Sequence, residues 1–116
     1  KEGDTFYMAV KDERDIPLKK NIRITTSKSI LGPWTELSAP ITGSWTEGPS
    51  LFKKDDTYVL YFDHYNGGKG MQALESADLK KWQDISAKVQ FAPESKHGSF
   101  IKITSDEFNA LKRAEF

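Results

Sequence analysis

The sequence has no cysteine. That excludes a disulfide scaffold and any thiolate metal centre, and it leaves the compartment open. It has no excess of charge either: Lys plus Arg number 17, Asp plus Glu number 17, and the formal net charge is zero. Without a basic surplus nothing invites nucleic acid, and without an acidic run nothing suggests a solvating tail. No apolar stretch approaches the roughly 18 residues of a membrane-spanning helix, so no membrane partner is expected. Lys1-Glu2-Gly3-Asp4 lacks the apolar core of a signal peptide and looks like a turn entering a strand. Gly67-Gly68-Lys69-Gly70 lacks the Ser or Thr that follows the lysine of a phosphate-binding loop. Zinc-ligand spacing and the glycine–serine pattern of a nucleophile elbow are missing as well.

What is present is a β-rich pattern. Aromatic residues make up 12% of the chain, a share that suits either a strand-built core or rings on which sugar faces stack. Thr5–Val10 is β-branched and aromatic, and Asn21–Ser27 alternates Ile22 and Ile24 with Arg23 and Thr25. After the Gly32-Pro33 turn, Trp34–Leu37 reads as the start of a short strand. Ser50–Lys54, Thr57–Phe62, Met71–Ser76 and Lys81–Ile85 follow as strands, with Thr57–Phe62 the strongest. Ser99–Thr104 reads as a last strand. The tail, residues 105–116, has Phe108, Leu111 and Lys112 at helical spacing and is predicted to form a short helix.

Two segments repeat one another. Thr5-Phe6-Tyr7-Met8, Ser27 and Trp34 recur in order as Thr57-Tyr58-Val59-Leu60, Ser76 and Trp82. The period of about 50 residues is that of a four-stranded propeller blade. The predicted fold class is all-β: residues 1–104 as part of a five-bladed β-propeller, with blade-like units at 5–37 and 50–85 and one further strand at 99–104. A lone blade cannot bury both faces of its sheet, so the chain by itself is expected to be unstable or to self-associate.

Trp45-Thr46-Glu47-Gly48-Pro49-Ser50-Leu51-Phe52, followed by Tyr58–Phe62, resembles the Glu-Gly-Pro segment of glycoside hydrolase family 43, which includes β-xylosidases, α-L-arabinofuranosidases and arabinanases. The two serine–turn–tryptophan stretches, His97-Gly98-Ser99 and Lys11-Asp12-Glu13-Arg14 resemble further marks of that family, over about residues 5 to 104. The resemblance implies the five-bladed fold and inverting hydrolysis of arabinose- or xylose-containing oligosaccharides or polysaccharides. It implies that Glu47 is the general acid. It also implies that the base and the pKa-tuning aspartate lie upstream of Lys1, so that this C-terminal portion alone is inactive or nearly so. The substrate class implies a secreted or periplasmic protein.

Residue chemistry is compatible with that assignment. Glu47 lies between Trp45 and a Gly-Pro turn, where desolvation beside an indole favours the protonated acid; the plain alternative is an exposed turn glutamate. Trp45 is a candidate stacking platform. Lys11 and Asp12 follow the first strand and could hydrogen-bond sugar hydroxyls, or belong to a charged surface loop. For His97 the resemblance implies contact with a bound cation, often calcium, or with water beneath the sugar; a structural histidine is the alternative. His64 reads as a loop residue. Two other functions fit the same residues: a non-catalytic carbohydrate-binding propeller, and a propeller scaffold for protein partners.

Overall fold

The structure is a computed structural model that describes residues 1–114. The strands are β1 (Phe6–Asp12), β2 (Asn21–Ser27), β3 (Thr46–Lys54), β4 (Thr57–His64), β5 (Gly70–Ser76) and β6 (Gln83–Asp84). A 3-10 turn spans Ser86–Lys88, and one helix, α1, spans Ser105–Arg113. β1 and β2 form one sheet, β3-β4-β5-β6 form a second in sequential order, and every pairing is antiparallel. The chain is all-β apart from α1. No helix among the described residues is long and apolar enough to cross a membrane.

The first sheet is completed by side chains. Trp34–Leu37 was expected to start a strand, and the backbone there is irregular instead. The amides of Thr35, Ser38 and Ile41 still donate to the carbonyls of Thr26, Ile24 and Ile22 on the outer edge of β2. The amides of those same β2 residues donate to hydroxyls: Thr26 to Thr35 Oγ1, Ile24 to Ser38 Oγ and Ile22 to Thr42 Oγ1, at 2.9–3.0 Å. Contacts recur every third residue rather than every second, so backbone carbonyls fall out of reach and hydroxyl oxygens replace them.

The second sheet is a regular meander. Strand alternation sends Leu51 and Leu60 to one face and Phe52 and Val59 to the other. The first face meets the β1-β2 sheet: Ile22, Leu60 and Phe62 are buried there, with Ala9, Leu51 and Trp82 packed against them. Ile22 and Leu60 are fully sequestered, each burial stabilising by about 1.5–3 kcal/mol. The indole of Trp82 thus lies in the core that joins the two sheets. On the opposite face Val59, Ala73 and Ile85 are buried beneath Phe52, Tyr61 and Phe91.

Beyond Ile85 the chain leaves the sheets. Ser99–Thr104, expected as a strand, pairs with nothing among the described residues. Phe100 stacks on Phe52, centroids 4.7 Å apart, and meets the Tyr61 ring edge-on. A strand needs a neighbouring backbone, and this segment has none. The predicted tail helix is present as α1. Thr104 and Glu107 form a reciprocal capping box at its start, with Asp106 and Glu107 in the first turn and Lys112 and Arg113 in the last. The last two tail residues, Glu115 and Phe116, lie outside the described residues.

Candidate functional site

The head of β3 is distorted in a way that presents one carboxylate. The β3–β4 register shifts between Glu47 and Ser50, where Gly48 and Pro49 interrupt the ladder. Gly48 has φ +56°, and a Cβ there would run into the His97 ring, so only glycine lets the imidazole approach this closely. Trp45 has φ +69°, an outlier for a bulky residue. Its neighbour Thr46 is buried and shares a 2.6 Å hydrogen bond with Thr42 Oγ1. The Trp45 carbonyl accepts from the Tyr65 amide, and the two rings meet edge-to-face at 5.9 Å.

Glu47 is therefore held between the side chains of Lys11 and His97. Lys11 Nζ donates to Glu47 Oε2 at 2.8 Å and to Glu13 Oε1 at 3.0 Å, and it lies 4.8 Å from the centre of the Tyr65 ring. His97 Nε2 lies 3.2 Å from Glu47 Oε1 and donates when it carries the proton. Burial pulls the Lys11 ammonium down, but its bonds to Glu47 and Glu13 outweigh this and its pKa is raised. The Lys11 hydrogen bond, with a smaller contribution from His97, lowers the Glu47 pKa below its usual value. This corrects the expectation of a protonated Glu47. The indole of Trp45 packs on Tyr65, the ammonium of Lys11 takes the carboxylate, and the ion pair outweighs desolvation.

Asp63 completes the cluster. It is buried on β4, directly opposite Glu47 in the register. Asp63, Glu47 and His97 each place one potential ligand atom within 4.8 Å of the others. A calcium ion takes six to eight oxygens, so these three side chains supply at most one corner of such a site. The separation also bears on hydrolysis: an inverting pair needs its carboxyl groups roughly 6.5–9.5 Å apart, and Asp63 is too close to Glu47 for that partnership.

Of the residues singled out from sequence, Lys11, Glu47 and His97 converge, and Trp45 flanks them. Asp12 does not join them. Alternation along β1 turns it to the opposite face, where its carboxylate is buried between Arg14 Nη2 at 2.6 Å and Arg23 Nε at 2.9 Å. Those pairs hold the Asp12 pKa well below the usual range, the Arg14 hydrogen bond contributing most. His64, expected in a loop, is the last residue of β4, paired with Thr46 and Gly70, its Nδ1 2.9 Å from the Asn66 carbonyl. Sequence reasoning missed Asp63. A carboxylate ending an otherwise apolar run, Tyr58–Phe62, was the available signal. It also missed that Glu47-Gly48 and His97-Gly98, 50 residues apart in sequence, meet in space.

These features define a class: an antiparallel β protein of two packed sheets, with a carboxylate-centred polar cluster where Lys11 of β1, Glu47 of β3 and His97 converge. Residues 1–109 match the family described as a probable glycosyl hydrolase domain, related to glycosyl hydrolase family 43, and the chain belongs to that family. It is a glycosyl hydrolase-related domain. No curated protein and no solved structure matches it.

Proposed function

We propose that this domain is part of the catalytic cleft of an inverting glycoside hydrolase acting on arabinose- or xylose-containing glycans, with Glu47 as the proton donor. Family membership supports the reaction class. The observation that carries the residue assignment is the convergence of Lys11, Glu47 and His97 at the bulged head of β3, beside the exposed Trp45–Tyr65 pair on which a sugar ring can stack. In this reading the two sheets are successive blades of a five-bladed propeller. The resemblance puts the water-activating base upstream of Lys1, and the short distance from Asp63 to Glu47 speaks against Asp63 in that role. The substrate class places the protein in a secreted or periplasmic setting. Any calcium ion beside His97 needs ligands beyond Glu47, Asp63 and His97.

Proton donation requires Glu47 to release Lys11. A sugar hydroxyl accepting from Lys11 Nζ would weaken the ion pair and return the Glu47 pKa toward its ordinary value. The test is hydrolysis of aryl α-L-arabinofuranosides and β-D-xylosides by this chain and by a longer natural form. Activity in the longer form that falls about 10²–10⁴-fold in Glu47→Gln supports the reading. Full activity in that variant sinks it.

A second reading, a non-catalytic carbohydrate-binding domain, is favoured by one observation: the Lys11 ion pair keeps Glu47 ionised, the wrong state for an acid. Oligosaccharide binding that survives Glu47→Gln, with no hydrolysis in any form, would decide for it.

A further inference from the structure

Asp63 carries a carboxyl that the mechanism above leaves unused. The residue is 4% exposed. The side-chain donors of the cluster are spent elsewhere: Lys11 on Glu47 and Glu13, His97 on Glu47, and His64 on the Asn66 carbonyl. Among the described residues no group donates to the Asp63 carboxyl. A buried polar group without a partner is costly, so this one is built to meet something other than protein.

What it meets is set by the space it lines. A cavity of about 490 Å³ is bordered by Asp63, by Tyr65 and the glycines of the β4–β5 turn, and by residues 94–96. That volume falls in the roughly 300–1,000 Å³ range of small-molecule sites. A Cβ on Gly68 or Gly70 would meet no atom within 4 Å, so the space beside them is open. Tyr65 supplies a half-open aromatic ring, and Glu94, Ser95 and Lys96 supply polar groups. A ring beside convergent acceptors and donors suits a sugar, which has an apolar C–H face and a rim of hydroxyls. Two carboxyls against one ammonium favour a neutral unit over a uronate.

The position relative to Glu47 says which unit of a glycan this is. Asp63 and Glu47 are paired across β3 and β4, and their ligand atoms lie within 4.8 Å. In an inverting reaction the proton donor stands on the side of the leaving sugar, and the water and its base stand on the opposite face. We propose that this cavity holds the neutral sugar unit that leaves, with Asp63 accepting its hydroxyls and Tyr65 stacking on its face. The assignment rests on the reading of Glu47 as proton donor. It makes Asp63 a residue that selects the leaving group.

The test compares two leaving groups in the longer natural form. One substrate is a neutral disaccharide, xylobiose or arabinobiose, and the other is the aryl glycoside of the same sugar, whose leaving group brings no sugar hydroxyls to Asp63. Asp63→Asn should lower the ratio of kcat/KM, disaccharide over aryl glycoside, by about tenfold or more. Ser95→Phe, which fills the cavity from its other side, should lower the same ratio through KM. Equal losses on both substrates, as for an Asp63 that serves catalysis or holds a cation, overturn the proposal, and so does an unchanged ratio in the folded variants. Should Asp63→Asn fail to fold, Ser95→Phe decides alone. If the unaltered form cleaves neither substrate, the hydrolase reading fails and calorimetry with the disaccharides tests the cavity by itself: binding weakened about tenfold in Asp63→Asn supports the site, and no binding, or equal binding, removes it.

Discussion

The two sheets share a sequence pattern and close their outer edges with different shares of backbone and hydroxyl. In the second sheet β5 pairs with β6 in a regular register, at Leu74–Asp84 and Glu75–Gln83, and a hydroxyl takes one amide, that of Ala73, through Ser86 Oγ at 3.0 Å. In the first, hydroxyls of Thr35, Ser38 and Thr42 accept the amides that a strand's carbonyls would have taken. The comparison teaches that a ladder requires only that each donor find an acceptor, and that threonine and serine can supply it where the spacing is wrong for backbone. It also predicts where the two sheets should differ in tolerance.

The largest effect tests what they share. Ile22→Ala opens a cavity in the core between the sheets and should cost about 2–5 kcal/mol, read as a lower midpoint in urea. A single cooperative transition in that variant would show that the sheets unfold together. Next is the hydroxyl ladder. Ser38→Ala leaves the Ile24 amide without an acceptor and should cost about 1–3 kcal/mol, whereas Gln83→Ala on β6, whose pairing is backbone-borne, should stay within about 0.5 kcal/mol. Equal losses would mean that the hydroxyls are incidental. Gly48→Ala forces a Cβ into a left-handed turn against His97 and should cost about 1–2 kcal/mol. The His97 ring resonances should shift with it; unchanged resonances would remove His97 from the site.

The smallest effect on stability, and the most informative for chemistry, is Lys11→Met. Its partner is half-exposed, so the loss should stay under about 1 kcal/mol. The Glu47 carboxyl, followed by carbon NMR, should titrate at higher pH than in the unaltered protein. The sign follows from linkage: a carboxyl whose folded pKa is depressed stabilises the fold at neutral pH and loses that contribution as pH falls through the folded value. The unaltered chain should lose this increment on acidification below the ordinary carboxylate range, and the Lys11→Met chain should not. In a catalytically active form the same substitution should move the alkaline limb of the pH–rate profile upward.

Much of this was legible from spacing and composition. Asn21–Ser27 is the strand its alternation announces, but both of its faces are covered, so Asn21, Thr25 and Ser27 are buried along with Ile22 and Ile24. β4 extends two residues past the apolar run that marked it, since Asp63 and His64 pair in register without being apolar. β3 begins at Thr46, earlier than Pro49 suggested, because a bulge absorbs the proline. Two readings failed for tertiary reasons. Trp34–Leu37 has strand-like residues but a three-residue contact spacing, and Ser99–Thr104 has strand chemistry but no adjoining strand. At the site, Glu47, Lys11, Trp45 and His97 could be named in advance. The direction of the Glu47 pKa shift could not, because it depends on a contact between residues 36 apart in sequence. Asp12 was misplaced by one step of strand alternation, which composition does not encode.

The meeting of Glu47 with His97 has a consequence for how such a protein can change. The two residues stand 50 positions apart, each followed by a glycine, yet one is a carboxylate and the other an imidazole. The scaffold thus delivers two positions distant in sequence to a common point. An exchange there alters the chemistry at the centre while leaving the sheets' ladders and cores untouched. An architecture of this sort separates what sets shape from what sets reactivity, so that the second can be altered while the first is kept.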